Sequence, residues 1–411
     1  MERMLSLDMY ASAGVGVLAL LLGLYFTRRV AFLKRFCIPA PVSGGLVVSL
    51  LTLLLYSVCG VECRFDGTVK DLCMMLFFTS VGFQSDFGML RKGGRPLLVM
   101  LALVAVLILS QNLISVGIAR GLHLDPLFGM AAGSIPMSGG HGTAGGFAPL
   151  LEQLGLPGAS SIAMAAATFG LVAGSLMGGP LGEALVRRHR LAEPSAHASI
   201  LTGVEATEAS PEAQSEQPRS GENTFRDHFR GVCALILAMA LGTGLSRLLA
   251  LTGITFPTYF GSLLAACFLR NLCGLSPRAT GLLSLESVVS IGDICLQLFL
   301  GMAMASLRLW ELASLALPLT LILLAQVAFM GLYGAFVAFP LLGKDYDGAV
   351  LVSGLCGFGL GATPNAMANM SAVCFKYRHA VRPFIIVPII GAMFVDIINT
   401  GIITLFLNLV R

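Results

Sequence analysis

The sequence predicts an all-α integral membrane protein made of two inverted five-helix repeats, each carrying a re-entrant hairpin. Three observations predict it. The 411 residues are 56% hydrophobic and only 12% charged, where a soluble domain carries roughly a quarter charged residues. Ten apolar runs read as bilayer crossings. A glycine-rich motif also occurs twice, at corresponding places in the two halves: Ser138-Gly139-Gly140-His141-Gly142-Thr143 and Cys356-Gly357-Phe358-Gly359-Leu360-Gly361-Ala362-Thr363.

The first run, 9–27, resembles a signal peptide only superficially. It lacks a basic leader beyond Arg3 and a small-residue cleavage site. Arg28, Arg29, Lys34 and Arg35 follow it, as expected where a first spanning helix exits into the cytoplasm. Runs 42–58, 72–89, 96–118 and 160–186 complete an N-terminal repeat over residues 1–190. Residues 191–225 form a linker whose stretch 192–223 is rich in Ala, Ser, Glu, Gln and Pro and cannot bury a core. Runs 232–251, 257–269, 294–309, 318–339 and 384–409 make the C-terminal repeat, 226–411. The seventh run is short, which suggests tilt, a break or extension by its flanks.

Each glycine motif lies between two apolar stretches too short to cross: 127–135 and 144–154, then 349–355 and 366–375. These read as hairpins over about 126–157 and 347–376 with the glycines at their tips. Basic loops after the first, third and fifth runs place those exits in the cytoplasm, so the N-terminus is periplasmic, the linker cytoplasmic and the C-terminus periplasmic. Five crossings per half force the halves to be inverted. Internal matches agree: Gly129, Gly140 and Gly142 fall on Gly348, Gly359 and Gly361 at one offset, and Phe77 and Pro96 on Phe299 and Pro318 at another.

Glycine-broken segments in matching positions of two halves point to the binding site of a secondary transporter, because irregular backbone at membrane depth must be buried or line a watery cavity. The bland alternative is that the glycines only let helices pack closely. The candidate substrate-binding residues are Ser138, Gly139, Gly140, His141, Gly142 and Thr143 in the first motif. In the second they are Gly357, Gly359, Gly361, Thr363 and the adjacent Asn365. Thr363 followed by Pro364 reads as an N-cap and first helical residue, and Thr143 as its counterpart. A half-helix N-terminus offers free N–H groups and partial positive charge to a carboxylate. His141 either binds substrate or only fixes the loop. Gln111 and Asn112 form a polar step inside the fourth run, suited to lining a cavity or to bonding between helices. Asp396 and Asn399 lie three apart on one face of the last run, where a buried carboxylate is a functional candidate, here for Na⁺ or a substrate ammonium. Asp293 matches Asp71 in the repeat, and both read as interfacial residues at the start of a span.

Ten scattered cysteines lack metal-ligand spacing; Cys59 and Cys63 flank one outer loop and could pair. Nothing supports nucleic-acid binding or a cofactor. A channel reading rests on Gly357-Phe358-Gly359-Leu360-Gly361, but a carbonyl filter needs rotationally symmetric copies. An enzyme reading fails because His141 and Thr143 lack an orienting acid in their motif.

With these residues in view, the chain resembles the bacterial sodium/glutamate symporters over nearly its whole length. The resemblance is carried by the two glycine motifs, by 310–318 and 394–399, and by Ile38-Pro39-Ala40-Pro41 and 167–172. It implies Na⁺-driven uptake of L-glutamate across a bacterial inner membrane, a homodimer, and elevator-type movement. Residues 144–147, Ala-Gly-Gly-Phe, and Ala40 depart from the family's usual pattern. Another dicarboxylate or amino acid, or proton coupling, is the rival within the same class.

Overall fold

The computed structural model describes residues 3–36, 38–192, 221–251, 256–273 and 284–410. Strand β1 (Arg3–Leu7) precedes α1 (Met9–Arg29), which Asp8 caps by accepting the Ala11 N–H at 2.8 Å. The short α2 (Ala31–Arg35) leads to α3 (Ala40–Cys59), strand β2 (Val61–Phe65) and α4 (Thr68–Gln84). The long α5 (Phe87–Gly121) bends at Gly94, ahead of Pro96. The first hairpin is α6 (Pro126–Ala131), α7 (Ser134–Met137) and α8 (Gly140–Gln153), followed by α9 (Ala159–His189). Beyond 220 come α10 (Gly221–Ala250), α11 (Phe260–Cys273) and α12 (Leu285–Ala305). A 3₁₀ segment (Leu309–Leu315) opens α13 (Ala316–Tyr333), which passes through a π turn into α14 (Phe339–Leu341). The second hairpin is α15 (Tyr346–Gly359) and α16 (Thr363–Lys376). Finally α17 (Val381–Ile389) and α18 (Val395–Val410) are separated by a π turn, Ile390–Phe394.

Among the described residues, seven helices are long and apolar enough to cross a membrane, and α11 and α18 are shorter apolar helices. Several boundaries differ from the hydropathy reading. The third run ends at Gln84, not 89, because the Ser85 hydroxyl and carbonyl are taken by Met393 and Asn271 and Asp86 caps the next helix. The eighth begins at Leu285, nine residues before 294. Its polar first turns escaped the hydropathy window, yet Gly292 is pressed against Ser80. The sixth helix already runs from Gly221, so the far end of the expected linker is helical; residues 193–220 lie outside those described. The all-helical reading also missed a two-stranded parallel ribbon, Arg3 to Leu7 against Val61 to Phe65. Cys59 and Cys63, at the end of α3 and on β2, are free thiols.

The helices pack as two groups. One joins α1, α3 and α4 to α10, α11 and α12; the other joins α5, both hairpins and α9 to α13, α17 and α18. Close approach inside the first group needs bare backbone: a Cβ on Gly44 would meet the Ala19 carbonyl, and one on Gly23 the Ala40 carbonyl.

Helix α9 serves as a ruler across the molecule. Near its start, Ser161 hydrogen-bonds to the backbone of Arg308, whose side chain reaches Glu62 at 3.0 Å. Near its end, Glu183 accepts from Lys376 at 2.7 Å. At 1.5 Å per residue these contacts are roughly 33 Å apart, about the thickness of a hydrocarbon core. The ribbon and the 3₁₀ segment therefore share one face, while the outer end of the second hairpin lies at the other. Midway along α9, a Cβ on Gly170 would meet the Leu360 carbonyl, and Asn365 Nδ2 donates to the Leu171 carbonyl at 2.9 Å. The second glycine tip thus sits near half depth.

Candidate functional site

The two tips meet. Gly140 has φ +59°, and a Cβ there would lie 3.0 Å from the Gly361 carbonyl. A side chain at this position is strained by the backbone and crowded by the opposite hairpin. Gln111, buried in α5, ties the tips together with both ends of its amide. Its Nε2 donates to the Gly359 carbonyl at 2.7 Å, and its Oε1 accepts from the Ser138 hydroxyl at 2.7 Å. Gln326 on α13 braces the same spot by donating to the Gln111 carbonyl at 2.7 Å.

Beside the tips lies a cavity of about 340 Å³, within the range of small-molecule sites. It opens between the two helix groups. One wall is the first tip, from Ser138 through Gly139, Gly140, His141 and Gly142 to Thr143. The second tip adds Phe358 and Gly361 through Pro364, and the last helix adds Gly391, Val395 and Asp396. The opposite wall comes from the other group: Phe77, Val81 and Gln84 along one stripe of α4, and Asp293, Leu296 and Leu300 along one stripe of α12, with Pro39 at the start of α3.

Two half-helices therefore begin at the cavity. The first-turn N–H groups of a helix have no partner within it, so α8 turns the N–H groups of Gly140, His141 and Gly142 toward this space. Helix α16 has only that of Thr363, because Pro364 has no N–H and the Asn365 and Ala366 N–H groups donate to the Ala362 carbonyl. Both helices turn positive dipole ends the same way. The caps differ from the sequence reading. Gly139, not Thr143, precedes α8, and Ala362, not Thr363, precedes α16; neither provides a side-chain cap. Thr143 lies a turn inside α8, where its hydroxyl faces Asp396 Oδ1 at 3.5 Å. The Thr363 side chain fills the space a Cβ would need at Gly391, beside the π turn.

His141 is buried, with Nε2 3.0 Å from the Thr168 hydroxyl. That hydroxyl already donates to the Met164 carbonyl at 2.9 Å, so Nε2 carries the proton and Nδ1 is the ring's free nitrogen. The ring both fixes the loop and borders the cavity.

Five candidate residues stand behind the cavity rather than on it. Gln111 fastens the tips as described. Asn112 Oδ1 accepts the Ser134 N–H at 3.0 Å, at the break before α7. Gly357 has no room for a Cβ beside Ala366, Gly359 supplies the carbonyl to Gln111, and Asn365 binds α9. Asn399 is also set back: its Nδ2 donates to the Ser134 carbonyl at 3.1 Å. Its Oδ1 and Ser134 Oγ are buried with no partner among the described residues. No group of three or more His, Cys, Asp or Glu side chains suited to a metal occurs among the described residues.

Sequence reasoning missed Asp293. Its match to Asp71 suggested a span start, and Asp71 is indeed in the first turn of α4. Asp293 is instead about two turns into α12 and on the cavity wall. Its spacing to Leu296 and Leu300 was the available signal.

A family model described as Sodium/glutamate symporter matches residues 5–379. The chain is 41% identical over 408 residues to the sodium/glutamate symporter of Escherichia coli (strain K12), covering 99% of both chains. It is 36% identical over 394 residues to that of Haemophilus influenzae, covering 96% of this chain and 95% of the relative. Among solved structures, the sodium proton antiporter MjNhaP1 from Methanocaldococcus jannaschii aligns with 98% of this chain and 95% of its own at 14% identity and a TM-score of 0.41, too slight a likeness to carry an argument.

Proposed function

The chain belongs to the sodium/glutamate symporter family, and on that premise we propose that it carries L-glutamate inward across the bacterial inner membrane with Na⁺, at the cavity where the two glycine tips meet. It is a transporter and not an enzyme, with Na⁺ as coupling ion and no cofactor. The observation that carries the site is the convergence of two half-helix N-termini on one cavity between two helix groups. Glutamate brings two carboxylates, and the two ends offer the N–H groups of Gly140, His141 and Gly142 on α8 and that of Thr363 on α16, with the positive end of each helix dipole behind them.

Na⁺ prefers anionic and neutral oxygens. Asp396 with the Thr143 hydroxyl supplies one such pair, bordering the cavity. Asn399 Oδ1 with Ser134 Oγ supplies a second, behind the tip, with oxygens otherwise unused. On this reading Asp396 and Asn399 serve different ions, despite sharing a helix.

Alternating access follows from the two groups. The α5–hairpin–α9 group carries the tips and slides as an elevator against the α1–α3–α4 group and its counterparts, which form the scaffold of a homodimer. Each group takes equivalent helices from both halves, as an inverted repeat requires. Pro39 and Gln84 place the cavity toward the face that holds the basic loops after α1 and α4. With that face cytoplasmic and both termini periplasmic, the structure is the inward-facing state.

Uptake of labelled glutamate into proteoliposomes, with Na⁺ and proton gradients imposed separately, tests the couple. Accumulation under the Na⁺ gradient alone is expected; accumulation under the proton gradient alone overturns it. Single cysteines at 64 and 205, probed with an impermeant thiol reagent on intact cells, test the orientation: only position 64 is expected to label.

A further inference from the structure

The geometry points to Asp293 as the residue that holds the ammonium group of the substrate, and thereby selects amino acids over plain dicarboxylates, while the cavity is in its inward-facing state. This rests on the glutamate reading above and adds to it a residue on the opposite wall.

Asp293 is a carboxylate within an apolar crossing helix, an expensive placement that calls for a role. It is exposed on the cavity and has no hydrogen-bond or ion-pair partner among the described residues. Arg270, the cation of α11, is committed to Asp86 at 3.3 Å. Asp293 also shares its helix stripe with Leu296 and Leu300, and Phe77 and Val81 stand on the neighbouring α4. A carboxylate set among such side chains suits an alkylammonium, whose charge meets the acid while its methylene groups meet the apolar wall.

Asp396 is a poorer partner for that group. It is packed under the first tip against Thr143, in a setting suited to a small dehydrated cation. The division is then complete: tip N–H groups for the two carboxylates, Asp396 for Na⁺, Asp293 for the ammonium. Because Asp293 belongs to the other helix group, its bond exists only when the groups are positioned as they are here. Movement of the tips breaks it, so Asp293 sets affinity on one side of the membrane and not on the other.

The test compares L-glutamate with glutarate, the same diacid without the ammonium, in right-side-out and inside-out vesicles. Asp293→Asn is expected to weaken glutamate by about tenfold or more in one vesicle orientation only. Glutarate inhibition should be unchanged, so the preference for glutamate collapses on that side. A preference that survives in Asp293→Asn with an altered Na⁺ requirement overturns the inference and makes Asp293 a sodium ligand. Loss of the preference in Asp396→Asn but not in Asp293→Asn also overturns it. Should the variant not fold, the wild-type protein decides: glutamate, and not glutarate, must protect Asp293 from a hydrophobic carbodiimide, read by peptide mass mapping. Equal protection by both overturns the assignment. Wild-type protein that takes up no glutamate under a Na⁺ gradient overturns the parent reading and this one with it; wild-type uptake with an unmoved preference overturns this one alone.

Discussion

Both ends of the Gln111 side chain are committed, one to each glycine tip, and Gln111 and its two partners are buried. Replacing it with leucine leaves the Gly359 carbonyl with only the distant Ser138 hydroxyl, at 3.5 Å, in an apolar surround, and frees that hydroxyl of its nearer acceptor, a loss of roughly 1–3 kcal/mol. Gln111→Leu is therefore expected to lower the melting temperature in detergent and to weaken glutamate binding. Ser110→Ala next to it should do neither, since the Ser110 hydroxyl only bonds back to Val106 within its own helix. Asp396→Asn removes the anionic oxygen beside Thr143, so it should raise the Na⁺ concentration for half-maximal uptake or abolish uptake; unchanged Na⁺ dependence would exclude Asp396 as a ligand. At this scale the sequence was readable where a polar residue broke an apolar run, as at Gln111, Asn112 and Asp396. It did not reveal which of them would face the cavity. A three-residue offset put Asp396 on the cavity and Asn399 about 4.5 Å farther along α18, behind the tip, a distinction that no pattern of residue types announces.

Helix α8 presents Gly142, Gly145 and Gly146 to aromatic rings of the other group. A Cβ on Gly142 would lie 3.1 Å from Phe77, one on Gly145 would collide with Phe299, and one on Gly146 would lie 2.7 Å from Tyr259 and 2.9 Å from Phe78. Tyr259 and Phe78 are themselves stacked at 3.7 Å, and Phe147 meets Tyr259 edge-on. On the proposed elevator movement, such bare backbone against flat rings would let the groups shift without unlocking interdigitated side chains. Gly146→Ala should slow glutamate exchange by about tenfold, as overpacking by ~1.4 kcal/mol does, while leaving equilibrium binding near the wild-type value. Weakened binding with a normal exchange rate would place the glycine in the site instead. Both hairpins were legible as short apolar pairs around glycines, and their helix starts at Pro126 and Tyr346 follow from Asp125 and Asp345 as capping residues. Threonine as a cap was misread, because Gly139 and Ala362 leave the helix ends bare.

For the whole molecule, the charge balance of transport follows from how many ions the proposed oxygen pairs hold. Glutamate enters as a monoanion against an inside-negative potential, and each elementary charge is worth about 2.3 kcal/mol per 100 mV. One Na⁺ cancels the substrate's charge and gains nothing from the potential. Two Na⁺, as the two oxygen pairs beside and behind the first tip permit, leave one positive charge, which adds about a 50-fold accumulation per 100 mV. Uptake should therefore rise when a K⁺ diffusion potential is imposed with valinomycin; indifference to it would argue for a single Na⁺. The two-group packing was not legible beforehand. Hydropathy finds helices but not their neighbours, and the second-half partners of α1, α3 and α4, on α10 to α12, lie well over 100 residues away, since α4 ends at Gln84 and α10 starts at Gly221.

The ribbon of β1 and β2 has a consequence for how the chain is made. Each residue of β1 pairs with one 58 positions later, Arg3 with Val61 through Leu7 with Phe65, and parallel strands cannot be joined by a tight turn. Here the crossover consists of the two long helices α1 and α3 with the short α2 between them. Residues 3–7 leave the ribosome before the helices that follow them and wait, unpaired, until both have been threaded and residue 65 has emerged on the same side. A nascent chain in which only one of the two helices crossed would strand residues 3–7 across the bilayer from their partner. The clasp therefore closes only once both helices have crossed as an antiparallel pair, whichever side they started from, and it can do so before most of the protein has been synthesised.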